Sequence, residues 1–321
     1  MTQRVISRPT VVVGLLVGIV AVSTSAILAR YAMGPSPEVL TATPGAAPAL
    51  AVAFWRTAGG ALALAPLALR AELRGPGSVS RAHHGLLVCS GVALGLHFAL
   101  FQGSLALTTV ASAVTLATMS PIFVGLGAWW LLGERAARRV WIGMALTIVG
   151  AVTIGVADAA GHEFGLRALV GDVMAFGSAL AVTGYFLVGR ATRQRVRATT
   201  YSTLVYAWAA VGLLAACLAL EVPLLGYSPA TWLALAGIVV GPQLLGHTVF
   251  NTLLSTVSAT VIAIAVLSEP LGAGVLAWVL FDELPTAWFW VGAPLVLLGV
   301  AVATVSRRRG RQTAEVTAVE T

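Results

Sequence analysis

Long apolar segments recur along the whole chain and constrain its fold more than any other feature. Ten of them, each of about 17–25 residues, lie near 11–33, 48–70, 85–107, 109–132, 139–157, 168–190, 200–220, 230–253, 257–281 and 285–305. An apolar stretch of this length can cross the hydrocarbon core of a bilayer as an α-helix, which satisfies its own backbone hydrogen bonds there. Only 10% of the 321 residues are charged, whereas soluble domains carry about a quarter. We therefore predict an all-α integral membrane protein with ten transmembrane helices.

Arginine placement predicts the orientation of these segments. All 19 basic residues are arginines, and most of them lie in alternate connections between the apolar segments. The connections predicted to be cytoplasmic contain Arg4 and Arg8; Arg70, Arg74 and Arg81; Arg135, Arg138 and Arg139; Arg190, Arg193, Arg195 and Arg197; and Arg307, Arg308, Arg309 and Arg311. Positive residues favour the cytoplasmic side, so we expect a multi-pass protein of the cell membrane with both termini in the cytoplasm. The net charge of +7 lies in these short clusters, which argues against a nucleic-acid partner.

Two stretches of the chain repeat one another without a gap, Ser120–Gly150 and Glu269–Gly299. The identical pairs include Pro121 and Pro270, Gly125 and Gly274, Trp129 and Trp278, Glu134 and Glu283, Trp141 and Trp290, Gly143 and Gly292, and Gly150 and Gly299. Each half has five helices, an odd number, so the second half must enter the bilayer inverted, as in many secondary transporters. The predicted organisation is a cytoplasmic N-terminus over 1–10, a first repeat over 11–157, a second repeat over 168–305 and a cytoplasmic tail over 306–321.

The two repeated motifs carry a family resemblance. They are SPIFVGLGAWWLLGE (Ser120–Glu134) and EPLGAGVLAWVLFDE (Glu269–Glu283), each with a proline, a helix rich in small residues and a terminal glutamate. The chain resembles the drug/metabolite transporter superfamily, specifically its EamA type with two five-helix repeats. The resemblance implies a secondary transporter that works by alternating access and exports a small metabolite, an amino acid or a drug-like solute. One departure is Gly34–Pro48, which contains four prolines and is longer than the usual first external loop.

Glu269 is an acidic residue within a predicted span. It lies about 12 residues, or about 18 Å, into its helix, close to the centre of the bilayer, and Pro270 follows it. Ionisable side chains are costly at this depth and therefore suggest function. The hypothesis is that Glu269 binds a proton or the cationic part of a solute; the alternative is a glutamate that only hydrogen-bonds a neighbouring helix.

His97, His247, Asn251 and Arg56 complete the predicted lining of a cavity near the midplane. His97 lies at the same depth as Glu269, His247 is its partner in the repeat, and Asn251 follows His247 at i+4 on the same helix face. The histidines could titrate or bind solute, or they could hold helices together, which is the interpretation favoured for Asn251. Arg56 could hold an anionic group of the solute, pair with Glu269, or extend to the membrane interface.

Several kinds of site are missing from the sequence. It has no lysine and hence no Walker-type phosphate loop, no cysteine and histidine cluster with metal-ligand spacing and no GxSxG motif. Neither a cofactor, a metal site nor an enzymatic activity is therefore predicted. The expected partners are a small-molecule solute and the lipid bilayer, with proton coupling and a homodimer as further options. Two rival functions stay open: a membrane enzyme acting on a lipid-linked substrate, with His97 and Glu269 as acid and base, and a structural membrane subunit.

Overall fold

The computed structural model describes residues 8–34, 38–41, 43–73, 81–108, 110–117, 119–159, 165–281 and 287–304, in which the chain is helical apart from turns and short connections. The helices are α1 (Arg8–Ser23), α2 (Ser25–Met33), α3 (Ala49–Leu73), α4 (Arg81–Leu107), α5 (Val110–Ala117), α6 (Ser120–Leu132), α7 (Arg138–Ala159), α8 (Leu166–Arg193), α9 (Ala198–Ala219), α10 (Pro229–Ile238), α11 (Val249–Leu253), α12 (Ala259–Val266), α13 (Glu269–Phe281) and α14 (Phe289–Thr304). A π-helical segment, Val239–Thr248, joins α10 to α11. Among the predicted features, Glu283, residues 1–7 and the tail 306–321 lie outside these ranges.

Six helical stretches within the described residues are long and apolar enough to cross a membrane. They are Pro9–Met33, Ala49–Leu73, His83–Leu107, Leu166–Arg193, Ala198–Ala219 and Pro229–Leu253. Shorter apolar helices cover Ser120–Leu132, Ala259–Ala273 and Phe289–Ala303. Large apolar side chains on the outside of the bundle, such as Trp130 with 83% exposure, would be unfavourable in water and suit a lipid surface. The protein is therefore an all-helical, multi-pass membrane protein.

Four of the predicted segments are not continuous α-helices. The helix is interrupted at Thr24 within 11–33, between Ala117 and Ser120 within 109–132, and at Leu267 and Ser268 within 257–281, while 230–253 contains the π-helical segment. Proline accounts for three of these features, because Pro121 and Pro270 stand second in α6 and α13, and Pro242 lies in the π-helical segment. Proline lacks the N–H that would continue the ladder of helical hydrogen bonds. From the sequence, only a kink beside Pro270 is predicted.

Glycines allow several helices to approach one another closely. Gly14 and Gly18 of α1 face side chains of α11, and a Cβ atom on Gly18 would lie 2.3 Å from the Phe250 ring. Gly91 and Gly95 of α4 lie against the backbone of α9. The spacing of four residues in each glycine pair predicts helix contacts rather than ligand loops, which the structure confirms, and such contacts are typical of helix packing in membranes.

The crossing of α7 and α14 is reciprocal. A Cβ atom on Gly143 would lie 2.5 Å from the carbonyl oxygen of Gly299, and one on Gly150 would lie 2.6 Å from that of Gly292. Gly143 aligns with Gly292 in the sequence repeat, and Gly150 aligns with Gly299. Replacing each glycine by its aligned partner therefore turns one contact into the other, as at an interface with two-fold symmetry. Between them, the Thr147 hydroxyl donates to the Gly143 carbonyl oxygen at 2.7 Å.

We expect Gly143→Ala to lower the melting temperature of the purified protein. The added methyl group would meet backbone atoms, at 2.5 Å from the Gly299 oxygen and 2.8 Å from the Ala303 nitrogen, and overpacking of this kind costs about 1–3 kcal/mol. Gly212→Ala is the matched control, because no described atom lies within 4 Å of a Cβ atom there. Equal melting temperatures for the two variants would contradict the close crossing of α7 and α14.

The loop between α2 and α3 forms hydrogen bonds with the starts of α8 and α10. The Gly45 carbonyl oxygen accepts hydrogen bonds from the Ser228 N–H at 2.8 Å and the Thr231 hydroxyl at 2.7 Å, at the start of α10. Arg167, at the start of α8, donates to the Glu38 carboxylate at 3.0 Å. The long loop noted in the sequence therefore ties the α2–α3 connection to two helices of the second half.

Candidate functional site

An internal cavity of about 50 Å³ lies where the interrupted helices meet. Its lining residues are Val22, Ser25, Arg56, His97, Phe98, Phe101, Val114, Ala117, Ser120, Val182, Phe186, His247, Val266, Leu267 and Glu269. The space is enough for a few water molecules, since one water needs about 10–15 Å³. Four of the five residues predicted from the sequence, Arg56, His97, His247 and Glu269, line this cavity, and Asn251 does not.

The irregular points of the helices surround the cavity. Val22 and Ser25 flank the interruption at Thr24, Ala117 and Ser120 flank that between α5 and α6, and Leu267 lies in that between α12 and α13. Broken helices in a membrane are tolerated where they are buried in protein or line a cavity, because their free backbone groups need partners there. Interruptions of this kind form the substrate sites of many transporters.

Arg56 supplies a positive charge to the cavity from within the bundle. It is 2% exposed, its Nε donates to Gln243 Oε1 at 2.8 Å and its Nη1 donates to Ser25 Oγ at 2.9 Å. Its guanidinium carbon lies 3.8 Å from the centre of the Phe98 ring, a cation–π contact. Three neighbours therefore fix the plane of the guanidinium group, and its remaining N–H groups are available to an anionic partner.

Glu269 contributes a carboxyl group to the cavity. It is the first residue of α13 and is partly buried. Among the described residues, neither a hydrogen bond nor a direct ion pair holds its carboxylate, and the two ion pairs found there join Arg167 to Glu38 and Arg190 to Glu134. The cavity thus contains an arginine and a glutamate that face the same space without pairing directly.

The two histidines approach one another across the cavity, with ring centres 6.5 Å apart. His97 Nδ1 lies 3.1 Å from the carbonyl oxygen of Ser178. His247 lies in the π-helical segment and packs edge-on against Phe98, with ring centres 5.1 Å apart. Its Nδ1 atom is buried without a hydrogen-bond partner among the described residues. Among the described residues as a whole, no group of three or more histidine, cysteine, aspartate or glutamate side chains could hold a metal ion.

Asn251 lies behind the cavity in a buried polar network. Its Oδ1 accepts a hydrogen bond from the Tyr185 hydroxyl at 2.5 Å, and its Nδ2 donates to Ser202 Oγ at 3.1 Å and to Tyr206 Oη at 3.4 Å. The Tyr185 ring in turn contacts the His247 ring, with centres 5.9 Å apart. These hydrogen bonds join α8, α9 and α11 to one another next to the histidines.

Two hydrogen-bond partners of Arg56, Gln243 and Ser25, are not among the residues predicted from the sequence. Gln243 is an amide within a predicted span, and the cost of burying a polar group in a membrane could have drawn attention to it. Ser25 carries no comparable signal, since serine is common in membrane helices. Tyr185 and Trp55, two aromatic residues within predicted spans, lie outside the cavity lining. Trp55 donates instead to the Leu224 carbonyl oxygen at 2.9 Å.

We expect Asn251→Leu to reduce the thermal stability of the protein by about 1–3 kcal/mol, because it leaves buried hydroxyl groups without partners. Gln102→Leu is the matched control. Gln102 is also fully buried, but its amide atoms have no hydrogen-bond partner among the described residues. Its replacement should leave the melting temperature unchanged or raise it. A larger loss for Gln102→Leu than for Asn251→Leu would contradict this assignment of the network.

Comparisons with known proteins place the chain among transporters. The profile of the EamA-like transporter family matches residues 10–156 and 169–305. The pseudopaline exporter CntI of Pseudomonas aeruginosa (strain UCBPP-PA14) is 28% identical over 294 residues, which cover 88% of this chain and 95% of the exporter. The uncharacterized transporter YwfM of Bacillus subtilis (strain 168) is 24% identical over 304 residues, which cover 90% of this chain and 95% of that protein.

A solved crystal structure shares the fold. It superimposes with a TM-score of 0.72 at 23% sequence identity, covering 93% of this chain and 97% of that chain. The family profile spans both of the repeated parts of the sequence. This protein therefore belongs to the EamA-like transporter family, as its two repeated motifs predict.

Proposed function

We propose that the protein is a secondary transporter, active or facilitative, that exports a small solute by alternating access through the Arg56–Glu269 cavity. The observation that carries this proposal is the pair of opposite charges that face one buried space without pairing directly. Buried charges are costly unless they have partners, and a solute that carries complementary groups would supply them. In this arrangement Arg56 binds an anionic group, and Glu269 binds a proton or the cationic part of the solute.

The proposal includes ten spans arranged as two inverted repeats over 11–157 and 168–305. Two aligned pairs support it, because Ser120 and Glu269 both line the cavity, and so do His97 and His247. The reciprocal glycine contacts between α7 and α14 also follow from such a repeat. Rocking of one repeat against the other would expose the cavity to each side of the membrane in turn.

The arginine-rich connections assign the sides of the membrane in this proposal. They place both termini and the α8–α9 connection in the cytoplasm and the α2–α3 loop outside. The cell membrane is the expected location. An outward direction of transport is supported by the similarity to a relative that is named as an exporter.

A metabolite profile of cells with and without the protein tests this function. We expect one or a few small solutes to be enriched in the medium when the protein is present, and each should show counterflow in proteoliposomes. Chemical conversion of a lipid-linked substrate without net movement would favour the enzyme alternative. Tight co-purification with another membrane protein, together with loss of stability when alone, would favour a structural subunit.

A further inference from the structure

We propose that Ser178 holds His97 as a hydrogen-bond acceptor toward the cavity, so that His97 and Glu269 together bind a cationic group of the solute that carries N–H. This inference rests on the proposed transport function and narrows the class of solute. Ser178 is a positioning residue, because it acts through His97 and lies outside the cavity lining.

The contacts of His97 Nδ1 determine which ring nitrogen carries the proton. Nδ1 lies 3.1 Å from the Ser178 carbonyl oxygen and 3.2 Å from the Ser178 hydroxyl oxygen. A carbonyl oxygen only accepts hydrogen bonds, so the contact with the Ser178 carbonyl is a hydrogen bond only when Nδ1 carries the proton, which we infer here. Ser178 is fully buried on α8, and no bulk water competes for this bond. In the neutral ring, Nε2 then carries a lone pair and accepts.

Nε2 is the ring nitrogen that remains for the cavity. His97 lines the cavity and is only partly buried, while its Nδ1 side is occupied by α8. The ring is also held by Phe101, with which it stacks at 6.0 Å between ring centres and 12° between planes. A flip of the imidazole would keep the stacking on Phe101 but would move Nδ1 away from the Ser178 carbonyl oxygen. Hence His97 presents an acceptor, and its orientation is set before a solute arrives.

An acceptor that lines the same cavity as a carboxylate selects a particular cation. Glu269 would attract any positive group, including a quaternary ammonium, whereas the His97 lone pair is satisfied only by an N–H or O–H donor. A protonated primary or secondary amine offers both the charge and the donor. Because Arg56 also lines the cavity, the matching solute is a zwitterion whose ammonium carries at least one N–H. A betaine of equal charge would leave the His97 acceptor unpaired and would bind less well.

The first test is independent of the solute. The five histidines are labelled with ¹⁵N, the protein is reconstituted in lipid, and the His97 signals are assigned by their loss in His97→Gln. We expect a protonated Nδ1 and an unprotonated Nε2, unchanged in Ser178→Ala, which removes only the hydroxyl group. A proton on Nε2, on both nitrogens, or on Nε2 only after Ser178→Ala would overturn the proposal.

The second test uses transport. In His97→Gln the side-chain amide can present an oxygen near the position of Nε2, whereas in His97→Asn it reaches only the position of Nδ1. Counterflow of the exported solute should fall in both variants, and it should be about tenfold lower in His97→Asn than in His97→Gln, the difference expected for one hydrogen bond to a charged group. Equal activity of the two variants would count against the proposal.

The chemistry of the exported solute gives a third outcome. A solute enriched in the medium that lacks an amine with N–H, such as a sugar, a dicarboxylate or a betaine, would overturn this inference and leave the transporter function intact. Absence of net transport for every enriched compound would refute the proposed function, while the tautomer of His97 would still be measured by the labelling experiment. The two failures are therefore distinguishable.

Discussion

Glu269→Gln should lower solute counterflow by about 10- to 100-fold, because glutamine keeps the shape of the side chain and removes its charge. The folded yield and the melting temperature should change little. Among the described residues no hydrogen bond or direct ion pair depends on this carboxylate. Its replacement should therefore weaken solute binding and leave the folded state intact. If Glu269 also carries the coupled proton, the pH dependence of transport should flatten in the variant. Counterflow in proteoliposomes at several pH values measures both effects.

Two further variants make the result for Glu269 interpretable. Glu221→Gln makes the same chemical change at an exposed residue outside the cavity and should transport like the wild type. Glu269→Asp keeps the charge but shortens its reach, so it should retain more activity than Glu269→Gln. Full transport with an unchanged pH profile in Glu269→Gln would remove Glu269 from both the proton and the solute roles.

Arg56→Gln should abolish transport, and Arg56→Lys should lose about tenfold in solute affinity although it keeps the charge. The guanidinium group donates to Gln243 from Nε and to Ser25 from Nη1, and these bonds fix the direction of the remaining donors. A lysine ammonium cannot reproduce this planar arrangement. Solute affinity from counterflow at increasing concentrations, with Arg30→Lys as control, measures the difference. Arg30 lies outside the cavity and donates to the Leu105 carbonyl oxygen at 3.1 Å.

The double variant Arg56→Gln/Glu269→Gln separates charge balance from solute binding. Arg56→Gln leaves the Glu269 carboxylate without an opposite charge in the cavity, a situation that destabilises proteins, whereas in Glu269→Gln the Arg56 guanidinium keeps its bonds to Gln243 and Ser25. The double variant restores neutrality, so its melting temperature should exceed that of Arg56→Gln alone, while transport stays absent. Recovery of transport in the double variant would show that the two residues only balance one another. A cycle of the four proteins gives the coupling energy directly.

The membrane class and the positions of the helices follow from the sequence because they depend on local properties. A run of about 20 apolar residues needs lipid wherever it lies in the fold. All ten predicted segments contain helix in the described residues. A charged residue within such a run can also be recognised from the sequence, and Arg56 and Glu269 are predicted as site residues for this reason. The family, too, follows from motifs that repeat along the chain.

The interruptions of the helices were less accessible from sequence. Proline beside Glu269 indicates a kink, but the turn at Thr24 has no proline within it. The π-helical segment also changes the spacing of side chains, since its hydrogen bonds run from i to i+5. Asn251 was placed on the same face as His247 by the i+4 rule of an α-helix. In the structure it points into the network with Tyr185 rather than into the cavity.

The sequence by itself determined which polar and charged residues lie within long apolar segments and that two stretches of the chain repeat. Only the tertiary structure decided which deep residues share one cavity, because the rotation of each helix about its axis depends on packing against its neighbours. It also supplied the partners that orient the site, Gln243 and Ser25 for Arg56 and a backbone carbonyl for His97. Every residue has such a carbonyl group, so sequence cannot mark the one at Ser178. Contacts between distant segments alone single it out.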